Sequence, residues 1–238
     1  MSTDLSELAS SANFEFAALQ AARRYRAALM REFGPHLRGR VLEIGAGVGQ
    51  MTGLLGQLPA VQSLVAIEPA AGFCRQLRAA LPGQAVIQGT AESVRPGGQW
   101  HAIVSINVLE HIAPDDQELR RYQSLLAPAH GVLCLFVPAR PEIYAALDRD
   151  FGHHRRYTRP GLRGQLERAG FEILRLDYFN ILGYFAWWFS FCLLGRRRFD
   201  VGAVRFYDRF VFPAVYWGES RLGRPPIGQN LIVAARAA

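Results

Sequence analysis

The residues whose type and spacing suit binding chemistry begin at a glycine turn, Gly45-Ala46-Gly47-Val48-Gly49, directly after a short strand-like run at 41–44. Glycine adopts positive φ there at no steric cost and has no Cβ to hold a ligand off the backbone. Val48, Met51, Leu54, Leu55 and Leu58 then recur at helical spacing. A helix opening at such a turn aims its free N–H groups into the gap, a site for carboxylate or phosphate. A second strand-like run ends in Glu68, about twenty residues beyond the turn, where nucleotide-binding α/β folds carry an acid for the ribose hydroxyls.

A second group of residues suits proton transfer. Histidine titrates near neutral pH. His111 stands just past a fourth strand-like run, while His153 and His154 share a long loop at 138–157 with Tyr157. His111 and His154 are the leading candidates for a base, with His153 and Tyr157 beside them. The pair of histidines next to Arg155 and Arg156 equally fits an anion patch, a guanidinium forking onto phosphate or carboxylate. No His, Cys and Asp cluster has zinc spacing, and Glu110 beside His111 is too small a set to predict a metal, so none is expected. Cys74, Cys134 and Cys192 lie far apart without a C-x-x-C pair and read as reduced, buried thiols of a cytosolic protein.

Val-Leu-Glu-Ile-Gly-Ala-Gly-Val-Gly at 41–49, Val-Ala-Ile-Glu-Pro at 65–69, Gly89-Thr90-Ala91-Glu92 after a third strand and Ile106-Asn107-Val108-Leu109-Glu110-His111 after a fourth occur in one order. Together they resemble the motifs of class I S-adenosylmethionine (SAM) methyltransferases, most closely the ubiquinone/menaquinone-biosynthesis-like branch (type 11/12). Position 50 is Gln, which departs from the dinucleotide pattern G-x-G-x-x-G. The likeness is good over residues 13–180 and looser beyond. It implies an α/β, Rossmann-like fold: a seven-stranded, mostly parallel sheet with helices on both faces and an aromatic helical insertion before the last strand. It also implies S-adenosyl-L-methionine as cofactor, held by Glu43, Gly45, Ala46, Gly47, Gly49, Glu68, Pro69, Ala91, Glu92, Ile106 and Asn107. In that assignment Glu43 sits under the methionine amino group, Glu68 takes the ribose, and adenine lies beside Ala91 and Glu92. Methyl transfer is an in-line displacement, so the protein supplies orientation and, for a hydroxyl acceptor, a base.

The elements that must position these groups follow from the same pass. Length and composition suit one α/β domain over 1–238, with 50% hydrophobic and 20% charged residues. Residues 13–33 contain no Gly or Pro and read as a helix, with Phe16, Leu19, Tyr25, Leu29 and Phe33 near one face; by resemblance the segment 1–36 covers the cofactor. Strands are expected at 40–45, 63–68, 85–88, 101–106, 132–137, 171–178 and 230–235. Helices are expected at 48–58, 70–80, 115–126 and, capped by Thr158, up to Gly170. The loop 138–157 is long for a compact domain and should cover the acceptor. The polar, acidic residues 1–11 do not read as an export signal.

Every basic residue is Arg, and the charge is uneven: 13 Arg against 14 acids over 1–150, then 14 Arg against 6 acids over 151–238. The second part asks for an anionic partner. Within the insertion at 180–228, the apolar aromatic run 181–194 followed by Arg196, Arg197 and Arg198 is short for a membrane span. It fits either a helix lying on a membrane surface or a buried lid. Strand four does not end in an Asn/Asp-Pro-Pro-aromatic motif and Cys134 has no partner thiol, which disfavours nucleic-acid bases as acceptors. Expected, then, is O-methylation of a small or lipid-linked hydrophobic acceptor by a cytoplasmic enzyme, peripheral to the inner membrane face through 181–198. An RNA methyltransferase and a SAM-binding, non-catalytic regulatory or assembly subunit are the alternatives.

Overall fold

The computed structural model describes residues 20–238, so Phe16 and Leu19 of the expected leading helix lie outside the described residues. Its chain runs α1 (Arg23–Phe33), β1 (Gly39–Ile44), α2 (Thr52–Leu55), β2 (Val61–Glu68), α3 (Ala71–Ala80), β3 (Ala85–Gln88), β4 (Ala102–Ile106), α4 (Asp115–Leu126), β5 (Val132–Pro138), α5 (Ala146–Asp150), α6 (Arg159–Arg168), β6 (Phe171–Phe179), α7 (Ile181–Trp187), α8 (Val201–Phe206), α9 (Phe212–Arg221) and β7 (Asn230–Ala237). Seven strands form one sheet in the order β3-β2-β1-β4-β5-β7-β6. Only β7 is reversed, pairing antiparallel with both β5 and β6.

Strand order turns round between β1 and β4, so the carboxyl ends of these two strands splay their loops apart. That crevice is where open α/β sheets take ligands, and it receives both Gly45 and Asn107. Central strands carry apolar residues on both faces because helices cover both. Leu42, Ile103 and Leu135 pack with Tyr122 on one side. Val41, Val104 and Phe136 pack with Leu29 and Phe33 of α1 on the other.

Two expected elements differ. Regular helix after the glycine turn is confined to Thr52–Leu55 rather than 48–58. Gly53 and Gly56 are poor helix formers, and Pro59 pushes Leu58 out of the helical region. The long loop, conversely, holds the short helix α5, in which Asp148 Oδ2 reaches back to accept from Ala145 N at 2.8 Å. Backbone contacts at its base tie this loop to β5: Tyr157 N donates to Pro138 O and Arg140 N to Tyr157 O, each at 2.9 Å.

The insertion before β7 starts at Asn180, which stands in the left-handed region at φ 64° and caps α7 by accepting from Gly183 N. Beyond α7 the chain continues as π-helix over Trp188–Leu193, and α8 does so over Tyr207–Val211. Glu219 of α9 reaches back to the same corner, accepting from Asn180 N at 3.1 Å and Ile181 N at 2.7 Å. Buried at 5% exposure, this carboxylate fixes the insertion to the end of β6. Replacing it, Glu219→Ala, strands two buried N–H groups and is expected to lower unfolding free energy by about 2–4 kcal/mol. A drop in urea midpoint with unchanged m-value measures this.

Candidate active site

Two chambers meet at the carboxyl edge of the sheet. The first is the glycine cradle. Gly45, Gly47 and Gly49 all have positive φ, at 72°, 54° and 86°. A Cβ on Gly45 would lie 2.3 Å from Val108 Cγ2, so β4's loop approaches this backbone as closely as glycine permits. Gly45 N and Ala46 N both donate to Ile67 O at 2.9 Å. From the neighbouring strand end, Glu68 accepts from Gly47 N through Oε2 at 2.9 Å and from Ala70 N through Oε1 at 2.8 Å. The expected pairing of turn and acid is thus a direct contact.

Glu43 is buried beneath the turn, and its Oε2 has no hydrogen-bond partner among the described residues. Burial pushes its carboxyl up to about 8, with the Thr52 hydroxyl lowering it and Glu68 raising it further. Burial also raises Glu68, against the lowering by its two N–H donors. Glu43 thus presents a buried oxygen without a partner among the described residues, while both oxygens of Glu68 are taken by backbone amides. Asn107 closes the other wall. It stands at φ 52°, and its buried Oδ1 also lacks a partner among the described residues. Ile106 is half-buried beside it, and Pro69 is exposed beyond Glu68.

Where adenine is expected, Ala91 is fully buried against the main core, whereas Thr90 and Glu92 on either side are exposed. The turn they form is clamped by Arg121, which donates to the carbonyls of Ala91 (3.4 Å), Glu92 (3.0 Å) and Val94 (3.0 Å). Sequence reasoning missed Arg121 because a helical Arg thirty residues away carries no local signal.

The second chamber is a cavity of about 750 Å³ between the strand ends and the insertion. Its buried floor holds Asn107, Glu110, His153, Arg156 and Asn180, and aromatic walls come from Tyr25, Trp187, Phe191 and Phe199. His153, not His111 or His154, faces into it. Asp148 Oδ1 lies 2.9 Å from His153 Nδ1 and also accepts from Arg156 Nε at 2.9 Å. Burial works to raise Asp148, but His153, Arg156 and the Ala145 N–H together hold it below the usual carboxylate range. Arg156 further donates to Ala139 O at 3.2 Å and stacks 4.3 Å over Trp187. This Asp148–His153–Arg156 constellation was visible only in part from the sequence, which offered the basic members without the acid.

The remaining candidates take other places. His111 packs edge-on against His153, ring centroids 4.7 Å apart, and burial with its histidine neighbour lowers it to about 4. His154 is exposed, and only its backbone is engaged, donating to Glu110 O at 2.8 Å. Tyr157 is buried away from the cavity, its hydroxyl donating to Asp115 at 3.0 Å. Arg155 pairs with the same Asp115 at 2.6 Å. The expected anion patch of Arg155 and Arg156 is therefore spent on two internal carboxylates, Asp115 and Asp148. Glu110, His111 and His153 also bring one ligand atom each within 4.8 Å of one another, a grouping able to hold a metal ion that sequence separation concealed.

A family model described as a methyltransferase domain matches residues 17–176. No curated protein matches significantly. Among solved structures the chain is similar to a provisionally assigned methyltransferase from Bacillus halodurans C-125, with TM-score 0.60 and 20% identity over 89% of this chain and 98% of that one. It is also similar to an S-adenosylmethionine-dependent methyltransferase from Mesorhizobium loti (TM-score 0.59, 16% identity, 87% and 95% covered). DhpI, solved as its SAH complex, superimposes at TM-score 0.51 and 21% identity over 70% and 89%.

Glu43 makes the cradle testable by pH. Its folded value of about 8 lies above the ordinary 4.5. Its neutral form therefore favours the fold fully below pH 4.5, and that contribution is lost as pH rises through 8. A cation seated against it reverses the preference. Binding of S-adenosylhomocysteine, which keeps the ammonium, should release close to about one proton at about pH 7 and progressively less towards pH 9. Calorimetry in buffers of different ionisation enthalpy reads this, and Glu43→Gln should abolish the release.

Proposed function

The chain belongs to the methyltransferase-domain family, and from that premise we propose that this S-adenosylmethionine-dependent enzyme methylates an oxygen on a hydrophobic, lipid-linked acceptor at a membrane surface. The observation that carries the reading is the Asp148-oriented His153 on the floor of an aromatic-walled cavity beside Asn107. When bound, the cofactor supplies the electrophilic methyl carbon. Asn107 joins the two chambers, so an acceptor in the cavity meets a donor in the cradle at that residue.

Asp148, held anionic, takes the Nδ1–H of His153 and leaves Nε2 as the basic nitrogen. An acceptor hydroxyl gives its proton to Nε2 as its oxygen is methylated, and Asp148 stabilises the resulting imidazolium. Arg156 keeps Asp148 in place from the far side.

Support for the membrane surface comes from the insertion. Of eleven large apolar residues exposed among the described residues, ten lie between 182 and 222, among them Trp188, Phe189, Phe206, Phe210 and Trp217. Exposed apolar side chains with interleaved Arg suit the interface of an anionic bilayer. Among the described residues no helix is long and apolar enough to cross a membrane, so contact would be from one side.

Incubation with labelled SAM and cell extracts tests the whole reading: label should appear in an organic-extractable, base-stable product. Label in RNA, or in no fraction, overturns it. His153→Ala should lower turnover by about 100-fold or more with SAM affinity little changed, and should also lower the thermal midpoint because Asp148 loses a buried partner. His154→Ala should stay within about twofold of the parent, as expected for an exposed side chain outside the cavity. Sedimentation with vesicles containing anionic lipid should capture the protein, and Trp188→Ala with Phe189→Ala should weaken capture by about tenfold.

A further inference from the structure

The cavity has a chemically distinct mouth. Its buried lining lies against the strand ends, while its exposed lining comes from the coil after the first π-helix and from α8, including Arg196, Arg198 and Phe206. Phe206, 61% exposed, places a large apolar side chain at the opening, its ring 5.2 Å from that of exposed Phe210.

The three consecutive arginines at that opening are not equivalent. Arg197, itself exposed, pairs with Asp150 of α5, donating through Nε at 2.8 Å. Arg196 N donates to Ser190 O at 3.1 Å, fixing the backbone between them. Arg196 and Arg198 are exposed, line the opening and have no carboxylate partner among the described residues. Acids near them are engaged elsewhere: Asp200 Oδ1 caps α8 by accepting from Gly202 N and Ala203 N, and Asp208 accepts from Arg24 N and Tyr25 N. Two exposed guanidiniums thus line the opening, while Asp200 and Asp208 accept from backbone amides.

Resting on the proposed function, we infer that Arg196 and Arg198 form a phosphate-binding subsite, so that the acceptor is a phosphate-bearing amphiphile. Guanidinium forks match phosphate oxygens in pairs and bind them through charge-assisted hydrogen bonds. A lipid phosphate lying in the interface would place its tail against Phe206 and its neighbours, its phosphate between the two arginines, and its hydroxyl-bearing group in the cavity. The anchor is coupled to the chemistry through α5, which carries both Asp150 and Asp148. A free phosphate ester shares the headgroup chemistry but has no use for the apolar rim.

Binding of octyl phosphate, octanol and inorganic phosphate, followed by tryptophan fluorescence with Trp187 as the cavity reporter, separates these sources. Octyl phosphate should bind at least about tenfold tighter than either of the others. Arg196→Gln with Arg198→Gln should abolish that preference, while Arg221→Gln, outside the cavity, should retain it. Equal affinity for octanol overturns the subsite. Equal affinity for inorganic phosphate overturns the lipid source, and so does a double variant that keeps the preference. No methyl transfer is read, so failure here leaves the His153 assignment standing, and an inactive His153 variant that still prefers octyl phosphate leaves the subsite standing.

Discussion

The contact on which the molecule depends is the carboxylate of Glu68 between two backbone amides, Gly47 N and Ala70 N. It joins the end of β2 to the turn after β1 and shapes the mouth of the crevice. Amides satisfy the carboxylate of Glu68, whose charge adds to burial in raising Glu43 beneath the turn. The positive φ of the three glycines keeps the backbone of the turn open to the crevice.

A second buried charge network organises the acceptor side. Asp148 collects His153, Arg156 and its own helix's first amide, all inside one loop. Arg156 then stacks on Trp187, so the loop from the sheet and the insertion are locked through one side chain. Burying an isolated Asp or Arg would be costly, but here each is compensated by hydrogen bonds as well as by opposite charge. The same network orients an imidazole towards the cavity. The same carboxylate thus anchors the loop and sets the imidazole's orientation.

The insertion is built differently from the rest of the chain. Its inward residues, Trp187 and Phe191 among them, form a small core of their own over α5. Its outward face mixes arginines with ten of the eleven large apolar side chains exposed among the described residues. π-Helical stretches occur in both of its longer helical runs; such widened turns are frequent where a helix borders a binding site.

From residue order alone came the strands and the glycine turn with its acid, because these depend on short-range patterns that survive in one dimension; the mostly parallel sheet and the cofactor class came from the resemblance of four ordered motifs to a known family. Hydrophobic runs of strand length, glycines where φ must be positive, and Thr158 as a cap are all local. Choice among the histidines was not local. Only packing shows that His154 faces outward, that Tyr157 props Asp115, and that His153 meets an aspartate within the cavity. Asp148 looked like one acid in a charged loop until a five-residue helix turned it inward. Arg121 and Glu219 escaped notice for the same reason: their partners are backbone groups about thirty or forty residues away, and backbone groups leave no mark in a sequence. Side-chain type sets what a residue can do; burial and long-range contact decide whether it does it.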